Sequence, residues 1–130
     1  MNTLYKFKGS VNSDLSLIKS FLDSAIMDLD SFIKDEEKLF DIKVILNELV
    51  INGAMHGNEE DLNKKVCLKL ILDDDSLKII VKDEGRGVDF DTSLYNCTEK
   101  SCNGRGLLIV EALTDQLILN KNEVIAIKNL

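Results

Sequence analysis

At Lys65 the hydrophobic period of this chain changes from helical to two, and that change limits the folds open to it. Before it, apolar residues recur at helical spacing. Leu15, Ile18, Leu22, Ala25, Ile26 and Leu29 form one stripe behind an N-cap at Ser13, and Leu39, Ile42, Leu46, Leu49, Val50 and Gly53 form a second. After it, Val66, Leu68, Leu70 and Leu72 alternate with Cys67, Lys69 and Ile71, the period of a half-buried strand. The run Asp73–Ser76 supplies a turn, and Leu77, Ile79 and Val81 continue as a second strand. At the start, Tyr5 and Phe7 alternate with lysines over Thr3–Gly9, which reads as a short edge strand. Gly104–Leu113 is a helix apolar on nearly every side, and so is expected to be buried, while Gln116–Asn120 and Glu123–Lys128 close as a hairpin. The order β-α-α-β-β-loop-α-β-β is an α+β pattern: a two-layer α/β sandwich with helices on one face of a mostly antiparallel sheet.

The second helical stripe ends in ELVINGAMHGN, Glu48–Asn58. Positions four apart on a helix differ by about 40° around the axis, so Glu48 and Asn52 leave the same face. Val44, Ile51 and Met55 surround them. Two polar groups in an apolar setting point to a covered pocket rather than a washed surface. His56, the chain's one histidine, reads as structural, holding the helix end, and Gly57-Asn58 as the stop. Gly53, at a place where alanine would serve the helix better by up to about 1 kcal/mol, signals close packing against the sheet.

Two glycine motifs follow. Asp83 closes an apolar strand and opens D-E-G-R-G, with Gly85 and Gly87 leaving room for a flat ring. Gly104-Arg105-Gly106-Leu107 opens the last helix, where free amide groups and the positive dipole end suit a phosphate. Arg86 and Arg105, the only arginines, both lie in these motifs and would offset the repulsion of an anion in a chain of net charge −7. Singly, each motif reads as a turn, a tight helix start or a solvated side chain. In this order and spacing they form a constellation.

Composition bounds the rest. At 130 residues, 45% apolar and 30% charged, the chain is expected to fold as one domain, residues 1–130. Its acidity excludes a nucleic-acid binder, and no apolar run reaches the roughly 20 residues of a membrane helix or the pattern of a signal peptide. Cys67, Cys97 and Cys102 form an odd set without a C-x-x-C pair, so reduced thiols and a cytoplasmic location are expected.

The constellation resembles the GHKL ATPase superfamily with the Bergerat ATP-binding fold, over about the whole chain. Glu48–Asn52–His56–Gly57 is similar to its N-box, Asp83–Gly85–Gly87 to its first glycine box, and Gly104–Arg105–Gly106–Leu107 to its second. Small size, the N-terminal strand and helix, a short lid and the HGN ending resemble the anti-sigma factor serine kinases. These bind a sigma factor and phosphorylate a serine on an anti-anti-sigma factor. The resemblance implies ATP and Mg²⁺ as cofactors, Asn52 as the Mg²⁺ ligand, and Glu48 as general base. It also implies that Asp83 accepts from the adenine amino group, that the amides of Gly104, Arg105 and Gly106 hold the phosphates, and that residues 89–103 form the lid; the family's members dimerise, and the apolar strand and helix at the N-terminus could serve a homodimer here. Asn122-Glu123 stand where many relatives carry Gly-Thr, a departure that bears on the adenine side of the site. Two other functions share these residues. One is a non-catalytic, ATP-gated protein-binding module, which would have no need of Glu48 as a base. The other is a histidine kinase domain acting in trans, disfavoured because no phospho-acceptor hairpin is present.

Overall fold

Alternating residues on a strand face opposite ways, so the period-two runs each yield one greasy face. In a computed structural model describing residues 3–59, 61–85 and 104–130, with only the backbone of residues 104–106, these faces line up as one side of a five-stranded sheet. The strands are β1 (Thr3–Asn12), β2 (Lys65–Asp73), β3 (Ser76–Lys82), β4 (Gln116–Asn120) and β5 (Glu123–Asn129). Their order is β1-β2-β3-β5-β4, and every neighbouring pair is antiparallel. β1 therefore sits at an edge, as its lysine alternation leads one to expect. Register places Leu70 opposite Phe7 and Ile79, and Ile79 opposite Ala126, so the inner face is continuous across four strands.

Helices α1 (Leu15–Asp30) and α2 (Glu36–Asn52) cover that face. Ile18, Leu22, Ala25 and Leu29 from α1, and Leu39, Ile42, Ile45, Leu46, Leu49 and Val50 from α2, are buried in one cluster with Val66, Leu68, Leu70, Leu72, Leu77, Ile79 and Val81. Leu15 stays half exposed, because it precedes the first turn that reaches the sheet. The cap of α1 is Asp14, whose carboxylate accepts from the Ser16 amide at 2.9 Å, and not Ser13. Ser13 is buried and uses both its hydroxyl, at 2.9 Å, and its amide, at 3.1 Å, on the Lys64 carbonyl. A tertiary partner thus takes the first of two adjacent cap-forming residues, and the second caps the helix.

The third helix, α3 (Gly104–Leu113), packs along α2. Its all-round apolar sequence led us to expect full burial, and the structure corrects this. Leu107 and Val110 face the core, while Leu108 and Ile109 remain 42% and 44% exposed. At the flank of the layer α3 packs along α2 and touches β4 on one side, so one stripe is used and the rest stays outside. Its far end is pinned by Lys128 of β5, which donates to the Leu113 carbonyl at 2.8 Å and pairs with Asp41 of α2 at 3.3 Å. Lys128 thus gives a cation to the carbonyl end of α3, where the dipole favours it.

After Asn52 the helix widens into a single π-turn, Gly53–Gly57, closed by the Asn58 amide donating to the Gly53 carbonyl at 2.8 Å. Close packing at Gly53 is not what the structure shows. A Cβ there would meet Val66 at 3.4 Å and Asp83 Cβ at 3.6 Å, ordinary contact distances, and its backbone is helical at φ −60°. Gly53→Ala is therefore expected to stabilise the protein by about 0.5–1 kcal/mol, checked by denaturant unfolding against wild type.

Candidate functional site

The strand-end acid and the widened helix end meet at one end of the sandwich. Asp83 directly follows β3, and its carboxylate lies against the backbone of Gly57. A Cβ on Gly57 would stand 2.1 Å from Asp83 Oδ2, and one on Gly85 would stand 1.9 Å from the Gly57 carbonyl oxygen. Both distances are impossible for a real side chain, so these glycines are required by close approach. Gly57 does not adopt the left-handed conformation of a helix-terminating glycine. That conformation falls to Glu59, at φ 52°.

Around this contact the backbone is tied from three directions. The Gly85 amide donates to Asp83 Oδ1 at 2.8 Å, and the Asp83 amide donates to the Asn122 carbonyl at 3.0 Å. Asn122 Nδ2 donates back to the Asp83 carbonyl at 2.7 Å. Asn58, which is fully buried, accepts from the Glu84 amide at 2.7 Å and donates to Ser13 Oγ at 3.1 Å and to the Lys65 carbonyl at 3.0 Å. The Glu84 carboxylate in turn accepts from the Lys65 amide. One asparagine therefore joins the end of β1, the start of β2 and the strand-end acid. Neither Asn58 nor Asn122 is legible in the sequence as more than a helix stop and a hairpin residue. The available signal was an asparagine directly after His-Gly, and another standing where relatives of the resembled family carry glycine.

Asp83 is half-buried, and burial pushes its carboxyl above the usual carboxylate range. The hydrogen bond from Gly85 and the positive charge of Lys64 work the other way and are outweighed. Glu48 and Asn52 are each partly buried on the last turns of α2. Asn52 Nδ2 is buried without a hydrogen-bond partner among the described residues. The His56 side chain is exposed and makes no hydrogen bond among the described residues, while the Asn58 amide closes the turn on the Gly53 carbonyl.

Gly104, Arg105 and Gly106 form the first turn of α3. With Leu113 held by Lys128 at the opposite end of the sheet from Asp83, the ten residues of α3 span about 15 Å back toward the end of α2. Leu107 is buried in the common core and fixes that first turn to it. Arg86, Gly87, residues 89–103, Cys97 and Cys102 lie outside the described residues, as does the side chain of Arg105. Cys67 is exposed on the uncovered face of the sheet.

A nucleotide fits these residues on two observations: the buried Nδ2 donor of Asn52, unpartnered among the described residues and suited to a phosphate oxygen, and the side-chain-free cradle of Gly57 and Gly85 about Asp83. Among the described residues no three His, Cys, Asp or Glu side chains cluster closely enough to hold a metal by themselves. A magnesium ion here would thus take most of its ligands from phosphate and water, as this ion commonly does. Among the described residues, no helix is long and apolar enough to cross a membrane.

Residues 15–128 match the family described as the histidine kinase-like ATPase domain. An anti-sigma F factor from Oceanobacillus iheyensis is 30% identical over 113 residues, covering 83% of this chain and 75% of that protein. The serine-protein kinase RsbW of Bacillus subtilis is 30% identical over 90 residues, covering 62% of this chain and 56% of the kinase. An anti-sigma F factor from Shouchella clausii is 37% identical over 86 residues, covering 62% and 59%. The matched stretch thus spans less than two thirds of the length of the last two relatives. On a match that takes in both covering helices and four of the five strands, the chain belongs to the histidine kinase-like ATPase domain family.

Proposed function

We propose that this protein is an ATP-dependent serine kinase that also sequesters a sigma factor, and that it phosphorylates an anti-anti-sigma factor with Mg-ATP. The observation that carries this reading is a set of three groups: the Asp83 carboxyl against Gly57, the Asn52 amide on the helix that leads into that turn, and Glu48 one turn before Asn52. A pure nucleotide sensor requires the first two groups but not the third. Relatives named as anti-sigma F factors and a serine-protein kinase support the partner class.

In this reading Asp83 accepts a hydrogen bond from the adenine amino group, and Gly85 and Gly87 let the ring approach. The first-turn amides of Gly104, Arg105 and Gly106 bind phosphate oxygens, with Leu107 anchoring that turn. Asn52 would hold magnesium through its amide oxygen, and the ion, when bound, would supply charge neutralisation on the phosphates. Glu48 takes the proton from the serine hydroxyl of the partner, and the protein's contribution is otherwise position and electrostatics. The chain acts as one cytoplasmic domain, and a homodimer through β1 and α1 fits the outer edge of β1, which pairs only with β2 among the described residues.

Phosphoserine on a candidate anti-anti-sigma factor, read by mass spectrometry after incubation with Mg-ATP, is the direct test. Glu48→Gln is expected to lower transfer by about 10²–10⁴-fold while ATP binding is kept. Loss of binding as well would remove Glu48 from the role of base, and wild type that binds ATP yet transfers to no partner would favour the gated binding module. Asn52→Ala is expected to make ATP affinity independent of magnesium, measured by calorimetry with and without the metal.

The raised carboxyl of Asp83 gives a further expectation. A folded-state value above the unfolded one means that the fold favours the neutral acid, so stability from this group is present at low pH and lost as pH rises through the folded value. Asp83→Asn is neutral throughout. Its melting temperature should match wild type at pH values below the ordinary carboxylate range, exceed it once the pH has risen through the folded value, and be accompanied by weaker ATP binding. A melting curve series over pH checks all three.

A further inference from the structure

Two polar groups of the Asp83 backbone, its amide and its carbonyl, are both bonded to one residue, Asn122, at 3.0 and 2.7 Å. Asn122 lies in the two-residue turn between β4 and β5, next to Lys121 at φ 54°. The carboxylate beyond that backbone has little freedom. Its Oδ1 accepts from the Gly85 amide, and its Oδ2 lies against Gly57. From the other side, Asn58 holds the next peptide through the Glu84 amide.

Position matters here for a chemical reason. A carboxylate can accept from the 6-amino group of adenine, and it can equally accept from the ring N–H and 2-amino group of guanine. The two sets of donors sit at different places along the base edge, so what separates the purines is where the acceptor is held. Resting on the adenine-nucleotide reading above, we infer that Asn122 is a positioning residue. By fixing the backbone of Asp83 on both sides, it sets the carboxylate at the 6-amino position and so gives this site its preference for adenine over guanine nucleotides. This chain bears an asparagine side chain there, and its Nδ2 donor supplies half of the clamp.

The two halves can be separated. The carbonyl of residue 122 survives any substitution, and only Nδ2 depends on the side chain. Asn122→Ala removes the donor, and Asn122→Asp removes it with the shape retained; Asn120→Ala, on the same hairpin but unbonded to Asp83, is the control. Residue 122 is only partly buried and the β4–β5 pairing is untouched, so the variants are expected to fold, and Asn122→Asp carries the test if the alanine variant does not. Affinities for ATP and GTP are measured on the full chain by calorimetry, with melting temperatures alongside. The expected result is ATP binding weakened about tenfold with GTP binding changed by less than about threefold, so that the ratio between them collapses. A merely structural role would weaken both nucleotides equally and lower the melting temperature. Equal weakening, or no change in either, in a protein whose wild type prefers ATP would overturn the role of Asn122 alone. A wild type that binds neither nucleotide, or both alike, would overturn the adenine reading and this inference together.

Discussion

The carboxylate of Asp83 rests against backbone atoms of Gly57 and Gly85, and the local structure follows from that contact. A methyl group at either glycine would overlap its neighbour by more than an ångström, so the contact fixes which residue types can stand there. It also sets how close the end of α2 comes to the end of β3. The widened turn after Asn52 brings the chain down to that distance, and Asn58 secures it with buried hydrogen bonds to three separate segments. Each such bond contributes about 0.5–1.5 kcal/mol net, while an orphaned partner costs about 1–3. A buried asparagine with its amide fully used is therefore a strong specifier of one arrangement.

What the contact holds in place is an acid in an unfavourable setting. Burial opposes the charge on Asp83, and the fold keeps it there through backbone ties on both sides. An arrangement that costs stability in the free protein and offers a fixed acceptor is characteristic of a binding group. The orphaned amide of Asn52 has the same character. At the other end of the sandwich Lys128 neutralises Asp41 and closes α3, which is the ordinary economy of a structural ion pair.

The order of elements and the inner face of the sheet were legible because period and turn chemistry are local properties. Leu68, Leu70 and Leu72 alternate whatever the rest of the chain does. The Glu48–Asn52 pairing was legible for the same reason, since four residues on a helix fix a direction. Ser13 was misread because the choice between two adjacent caps was made by Lys64, fifty-one residues away. Leu108 and Ile109 were misread because composition cannot say that α3 lies at a flank. Gly53 and Gly57 were assigned their roles in the wrong order: the first has room for a methyl group, and the second, expected only to end a helix, is the one that cannot carry it. Asn58 and Asn122 act across the sheet, and no local pattern marks them.

The strand order has a consequence for when the site comes into being. β5 lies between β3 and β4, so β3 has one bare edge until the final hairpin docks. That same hairpin brings Asn122 to Asp83. Without that hairpin the backbone of Asp83 lacks both of its bonds to Asn122. Competence to grip a ligand thus arrives with the last strand, so a partly synthesised or C-terminally clipped chain would carry every motif and still lack the geometry.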